Sequence, residues 1–194
     1  IAGNMAGGTH HAFYDHGSGY CIFNDLAITA LRALEHPDIQ QVLILDLDVH
    51  QGDGTASILR HNAMVHTVSM HGRKNFPFRK QQSDWDLPLP DGTGDSDYLR
   101  ILEHVLETLT RKHVDLLLFQ AGVDPLAEDH LGHLDLTRKG LDRRNRMVFD
   151  WAEEMNLPVV LFMGGGYATP IQRSVEAFED LFTAAAESHA CRTA

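Results

Sequence analysis

Val42-Leu43-Ile44-Leu45-Asp46-Leu47-Asp48-Val49-His50 decides how this chain folds: an unbroken apolar run turns, at its carboxyl end, into an alternation of acids and apolar residues. Strands covered on both faces read as continuous apolar stretches of this length, whereas helices need longer ones. Residues 42–48 are therefore predicted to form a strand inside a sheet. Working outward, residues 64–70 (MVHTVSM), 114–120 (VDLLLFQ) and 158–163 (PVVLFM) share the pattern. Between them, residues 23–34 and 98–109 place apolar side chains at helical spacing, the second with Leu99, Leu102, Val105, Leu106 and Leu109 on one stripe. Strands alternating with helices predict an α/β fold of three layers, a mostly parallel sheet flanked by helices. Asp95 and Ser96 are the expected caps of the helix at 98–109. Thr137 is the expected N-cap of a further helix, and Thr169 of another with Pro170 in its first turn.

The 194 residues are 43% hydrophobic, enough for one domain with a sizeable core, and residues 1–194 are read as a single domain. With 16 Lys+Arg against 27 Asp+Glu, the net charge of -11 argues against direct nucleic-acid binding or an anionic membrane surface, and toward a cationic partner or a metal ion. No stretch approaches the roughly 20 apolar residues of a membrane span. Cys21 and Cys191 make no disulfide framework, so a reducing, cytoplasmic setting is expected. The 13 histidines raise the prior for metal or acid–base chemistry without placing it.

Placement comes from the strand ends, because an open parallel sheet binds its ligands beyond the carboxyl ends of its strands. Asp46, Asp48 and His50 stand at alternate positions there, on one side of an extended segment. Crowding carboxylates beside an imidazole is costly unless a cation neutralises them. Asp124, after the strand at 114–120, would complete an Asp48, His50, Asp124 ligand set with a position left for water and substrate, a set that suits catalytic zinc and could also hold iron or another divalent ion. The His10-His11 pair carries little alone, but following Gly7-Gly8 it can approach such a centre closely, with Asp46 and Asp53 as carboxylates to orient it. Tyr167, after Gly164-Gly165-Gly166, is placed to donate its hydroxyl to a developing oxyanion. Together these make the inventory of a metal-dependent hydrolase.

Gly7-Gly8-Thr9-His10-His11-Ala12, Gly19-Tyr20-Cys21-Ile22-Phe23-Asn24-Asp25, Asp46 through Thr55, Asp124 with Leu131-Gly132, and Gly164-Gly165-Gly166-Tyr167 occur here in an order that resembles the zinc-dependent histone deacetylase superfamily. The resemblance runs from Ile1 to about Phe182. The segment Pro88-Leu89-Pro90-Asp91-Gly92-Thr93-Gly94 is similar to the bacterial and class IV-like branches. It implies an arginase/deacetylase-like fold and removal of an acetyl group from acetyl-lysine, an acetylated polyamine or another small amide by zinc-activated water. Zinc would be held by Asp48, His50 and Asp124. His10 and His11 would be the catalytic imidazoles, backed by Asp46 and Asp53, with His11 the general base and acid, and Tyr167 would polarise the amide carbonyl. Gly19, Tyr20, Phe76 and Leu131 would line the acyl-lysine tunnel. A structural potassium ion would sit on Asp46, Asp48, His50, Ser69 and Met70, largely through backbone oxygens, and a second monovalent site would lie near Leu59, Asn62 and Val65. The family's catalytic domain is longer on its N-terminal side, so the chain is expected to represent roughly the C-terminal two-thirds of one. Gln51 stands where many class I members carry a second histidine.

Blander readings stand beside these. Tyr20, Phe76 and Leu131 also suit plain core closure. His36, His61, His66, His104, His113, His130, His133 and His189 read as surface or internally satisfied histidines, Cys21 as a small buried group, and the basic cluster from Arg138 to Arg146 as a solvated helix face. The alternatives to a deacetylase are an arginase-like binuclear manganese hydrolase, or an inactive fragment or pseudoenzyme that binds acylated partners.

Overall fold

A computed structural model describes residues 1–5 and 7–193, the side chains of 192 and 193 excepted. Its centre is a six-stranded, wholly parallel sheet. In chain order the elements are β1 (Ala2–Asn4), α1 (Asp25–Ala33), β2 (Val42–Asp46), α2 (Asp53–Leu59), β3 (Val65–Gly72), β4 (Trp85–Leu89), α3 (Asp95–Leu109), β5 (Leu116–Gln120), α4 (Arg138–Glu154), β6 (Val159–Phe162) and α5 (Gln172–Thr193).

The strand order is β1-β6-β5-β2-β3-β4. From β2 the chain steps outward through β3 to β4, then returns to lay β5 on the other side of β2. The order therefore reverses between β2 and β5, and it is beyond such a switch point that a crevice opens at the strands' carboxyl ends. Asp46 pairs in register with Gln120 of β5 on one side and Ser69 of β3 on the other, so the acidic end of β2 opens into that crevice.

Alternation along the central strands separates the two helical layers. Leu43, Leu45, Leu117 and Phe119 join the core with Leu102 of α3, Val148 of α4 and Leu181 of α5. Val42, Ile44, Leu116 and Leu118 point the other way, against Leu26 and Ala30 of α1 and Leu59 of α2. Among the described residues no helix is long and apolar enough to cross a membrane.

Several local expectations need correction. The cap of α3 is Gly94, with no side-chain hydrogen bond; Asp95 instead accepts from the Thr137 amide at 2.8 Å and the Thr137 hydroxyl at 2.6 Å, tying α3 to the start of α4. Thr137 itself caps α4 by accepting from the Gly140 amide. Thr169 caps nothing, because α5 begins only at Gln172 and Thr169-Pro170 lie in the bend before it. The basic stretch of α4 is not uniformly solvated: Arg138 and Arg146 pair with Asp180 and Glu187 of α5, and Arg144 is wholly buried. Pattern also leaves β1, α2 and β4 unread. β1 has three residues, α2 seven, and β4 interrupts its apolar positions with Asp86 and Pro88.

Candidate metal centre and active site

Beyond β2 the backbone turns on its own carboxylates. Asp46 accepts from the Asp48 amide at 3.2 Å, and Asp48 from the His50 amide at 2.9 Å, so the alternating acids fold into successive side-chain-closed turns. Asp124, beyond β5, reaches across to accept from the Val49 amide at 2.9 Å. Nδ1 of His50 then stands 3.0 Å from Asp48 Oδ1 and 3.0 Å from Asp124 Oδ2. All three residues are buried, and each offers a ligand atom within 4.8 Å of the others. Four ligands about 2.0–2.1 Å from a tetrahedral ion lie roughly 3.3 Å from one another, so this donor set fits a zinc-sized cation. Gly165 supports the fit, since a Cβ there would collide with Asp124 Oδ2, while its amide donates to Asp48 Oδ2 at 2.8 Å. Gln120 donates to the same oxygen at 3.0 Å.

The electrostatics agree with the donor chemistry. Burial works against a charged His50, yet Asp124 and Asp48 carry its pKa up to about 11. Burial and the neighbouring Asp48 push the Asp124 carboxyl up. A cluster that draws a proton this strongly is one that draws a cation.

His10 and His11 enter from the loop after β1. His10 Nδ1 lies 2.7 Å from Asp46 Oδ2, and His11 Nδ1 lies 2.7 Å from Asp53 Oδ1, leaving both Nε2 atoms free of those carboxylates. His10 Nε2 is 3.8 Å from Asp48 Oδ1. The loop is shaped by Asn24 and Asp25 at the start of α1. Asp25 accepts from the Gly8 amide at 2.8 Å and the Thr9 amide at 2.9 Å; Asn24 donates to the His10 and Ala12 carbonyls. Gly8 has φ 101°, and a Cβ on it would strike the Gly164 backbone, so the residue must be glycine for the histidine loop to lie against the Gly164-Gly165-Gly166 turn.

A cleft of about 630 Å³ ends on this centre, with Gly19, Tyr20, Phe76, Leu131 and Tyr167 in its walls and His10, His11, Asp48 and His50 on its lining. The Phe76 ring meets His11 edge-on at 4.9 Å between centroids. Tyr20, by contrast, is 88% exposed, so it stands at the rim rather than in the core. Tyr167 is half-buried and anchored by its amide to Asp129 Oδ2 at 2.5 Å. Burial, with Asp48 and Asp124 close by, pushes its phenol up to about 12. The hydroxyl thus keeps its proton at neutral pH and is a donor.

Of the residues assigned to potassium, Asp46 and Ser69 face each other across β2 and β3, and the Ser69 hydroxyl lies 2.9 Å from His71 Nδ1. Near the second monovalent position, the Leu59 and Asn62 carbonyls accept from the Asn62 and Val65 amides. Residues that pattern alone does not single out complete the surroundings. Asn75 donates to the Leu131 carbonyl at 2.7 Å and accepts from the His133 amide at 3.2 Å, bridging two walls of the cleft. Lys80 donates to the Asn75 and Pro77 carbonyls on either side of Phe76, at 2.6 and 2.7 Å. Gln51 exchanges amide hydrogen bonds with the backbone of Gln81, both at 2.8 Å. Loops carry no periodicity, and only the amide and ammonium chemistry of these side chains hinted at such roles.

Fold and site together define an α/β protein with a buried Asp–His–Asp cluster able to hold a metal ion at the switch point of a parallel sheet, and paired, carboxylate-backed histidines beside it. The chain belongs to the histone deacetylase family: the histone deacetylase domain profile matches residues 1–182. An uncharacterized protein of Picosynechococcus sp. is 50% identical over 172 residues, 88% of this chain and 57% of that protein. A deacetylase homolog solved in complex with SAHA superposes with a TM-score of 0.80 at 30% identity, covering 94% of this chain and 50% of the other. The acetylpolyamine aminohydrolase of Burkholderia pseudomallei superposes with a TM-score of 0.77 at 26% identity, covering 90% and 53%. The chain thus spans about half the length of the relatives it matches. Its fold is that of the arginase/deacetylase class.

Proposed function

We propose that this chain supplies the catalytic centre of a zinc-dependent deacetylase acting on acetyl-lysine, an acetylated polyamine or a related small amide. The observation that supports this most is the convergence of Asp48, His50 and Asp124 at the end of a cleft whose lining includes His10, His11 and Tyr167. Zinc held by the three ligands would supply Lewis acidity and lower the pKa of water. The other roles belong to the chain itself. His11, oriented by Asp53, takes the proton from attacking water and delivers it to the leaving amine. His10, held on Asp46, adds a second imidazole beside it. Tyr167 donates to the amide oxygen as negative charge develops there. Gly19, Tyr20, Phe76 and Leu131 flank the acylated side chain, and the net charge of -11 favours substrates that are otherwise cationic. A structural potassium ion on Asp46, Asp48, His50, Ser69 and Met70, a single domain over residues 1–194 and a cytoplasmic location belong to the same proposal.

The test is turnover by the full-length protein on acetyl-lysine peptide, acetylpolyamine and small-amide panels, with metal content measured in parallel. One zinc per chain with release of acetate is the expected result. Two manganese ions about 3.5 Å apart would replace it with the arginase-like reading. Zinc without hydrolysis of any panel would leave a binding protein.

A further inference from the structure

Arg144 is the largest side chain in the fully buried core, at 0% exposure. Its guanidinium donates five hydrogen bonds: to the carbonyls of Leu47 (3.2 Å), Gly122 (2.7 Å) and Ala121 (3.3 Å), and from Nε and Nη2 to Asn145 Oδ1 (3.0 and 2.8 Å). Every acceptor is neutral, and among the described residues no carboxylate hydrogen-bonds it. A buried charge with no bonded countercharge is expensive, so the compensation must come from further off. The accepting carbonyls indicate where: Leu47 directly precedes Asp48, and Ala121 and Gly122 belong to the turn leading to Asp124. One relay is continuous. The Ala121 carbonyl accepts from Arg144, the following Gly122 amide donates to Gln120 Oε1 at 2.8 Å, and Gln120 Nε2 donates to Asp48 Oδ2 at 3.0 Å. Burial weighs against the guanidinium's charge, and the groups that support it are Tyr98 first and then the carboxylates Asp124 and Asp48.

We propose that Arg144 is a resident counter-cation of the metal cage, a positioning residue that holds the Asp48 and Asp124 turns and offsets their mutual repulsion when no metal is bound. The inference rests on the metal reading above. Asp46, Asp48 and Asp124 gather in one buried cluster in which Asp46 is already paired with His10. The guanidinium, seated on the carbonyls of the Asp48 and Asp124 turns, is therefore the fixed positive charge nearest those two carboxylates' backbone whether or not a metal is bound. Its sign follows from Coulomb's law: without the guanidinium the metal-free cage repels itself more, and a divalent cation recovers more stability on binding.

The experiment compares the full-length wild type, Arg144→Gln and Arg144→Lys by thermal unfolding, metal-free and zinc-saturated, with zinc affinity measured by chelator competition. Gln keeps a neutral donor, while Lys keeps the charge and loses the planar fork. The expected result is that the gap between the two melting temperatures widens by roughly 2–4 °C in Arg144→Gln, with zinc held on the order of tenfold more tightly, and stays near the wild-type value in Arg144→Lys. An Arg144→Gln protein that folds only with zinc is the limit of the same effect. An unchanged gap in Arg144→Gln, equal changes in both variants, or a Gln variant unfolded even in saturating zinc overturns the inference. Wild-type protein that binds no divalent metal overturns the metal reading instead.

Discussion

The rings of His10 and His11 stand 4.1 Å apart between centroids, their planes tilted by 52°. Each is held through Nδ1 by a different carboxylate, and their charge states diverge accordingly. Burial disfavours a charged His10, but Asp46 and Asp48 outweigh it and raise its pKa to about 9; burial and then the neighbouring His10 drive His11 down to about 4. Two adjacent imidazoles of like charge would repel, so one cation and one neutral base is the stable arrangement.

In the proposed mechanism His11, the neutral partner, serves as the base. His11→Ala is expected to lower kcat by about 10²–10⁴-fold with metal content unchanged. Asp53→Asn, which disturbs only the ring's orientation and tautomer, should cost about 10–100-fold. Single-turnover rates with metal analysis on the same samples check both, and a His11→Ala protein at wild-type rate would remove the histidine from the chemistry.

Tyr167 is argued as a donor because its phenol stays protonated at neutral pH and lines the cleft beside the ligand cluster. Tyr167→Phe keeps the ring and the Asp129 anchor to its amide while deleting only the hydroxyl. Loss of about 10²–10³-fold in kcat with KM little changed is expected, as for removal of one oxyanion donor. A change confined to KM would assign the hydroxyl to ground-state binding.

How much of this was legible in the sequence depends on where the signal sits. Asp46 was readable as the polar end of a buried strand and Asp124 because a second strand ends beside it, but Asp48 and His50 reach the cluster through two turns closed by the Asp46 and Asp48 carboxylates and not through the extended register that their alternation suggests. Arg144 was misread with its basic neighbours, although it falls on the same stripe of α4 as Leu141 and Val148, where a charge is conspicuous. β4 was invisible because Pro88 and Asp86 break its pattern, a licence that its place at the sheet edge provides. Asn75, Lys80 and Gln51 act on loop backbone, for which sequence spacing carries no code.

Those three side chains make a prediction about selectivity. The loop carrying Phe76 is fastened at Asn75 to the Leu131 carbonyl, by Lys80 to two of its own carbonyls, and at Gln81 to Gln51. Asn75→Ala cuts the link between the two cleft walls without touching a proposed ligand. KM for an acetylated peptide is expected to rise about 3–10-fold, roughly one hydrogen bond's worth, and discrimination against longer acyl chains to fall, while kcat at saturation changes less. Steady-state kinetics on acetyl and butyryl versions of one peptide provide the check, and unchanged discrimination would mean that the bridge does not define the cleft width.

Asp25 supports the histidine loop without reaching the substrate cleft's chemistry. Its carboxylate accepts from the Gly8 and Thr9 amides and from Asn4 Nδ2 at 2.9 Å, so truncation leaves two backbone donors of a half-buried turn without their acceptor. Asp25→Ala should cost about 1–3 kcal/mol of stability. The turnover loss should exceed what unfolding explains, because His10 and His11 hang from that turn and catalysis falls steeply when a base is misplaced by even about 1 Å. Asp25→Asn retains one acceptor oxygen, so it should keep part of both. Denaturant unfolding and kcat, measured on Asp25→Ala and Asp25→Asn under conditions where both are folded, separate the two effects. Full turnover in folded Asp25→Ala would show that the loop holds its histidines in place without this carboxylate.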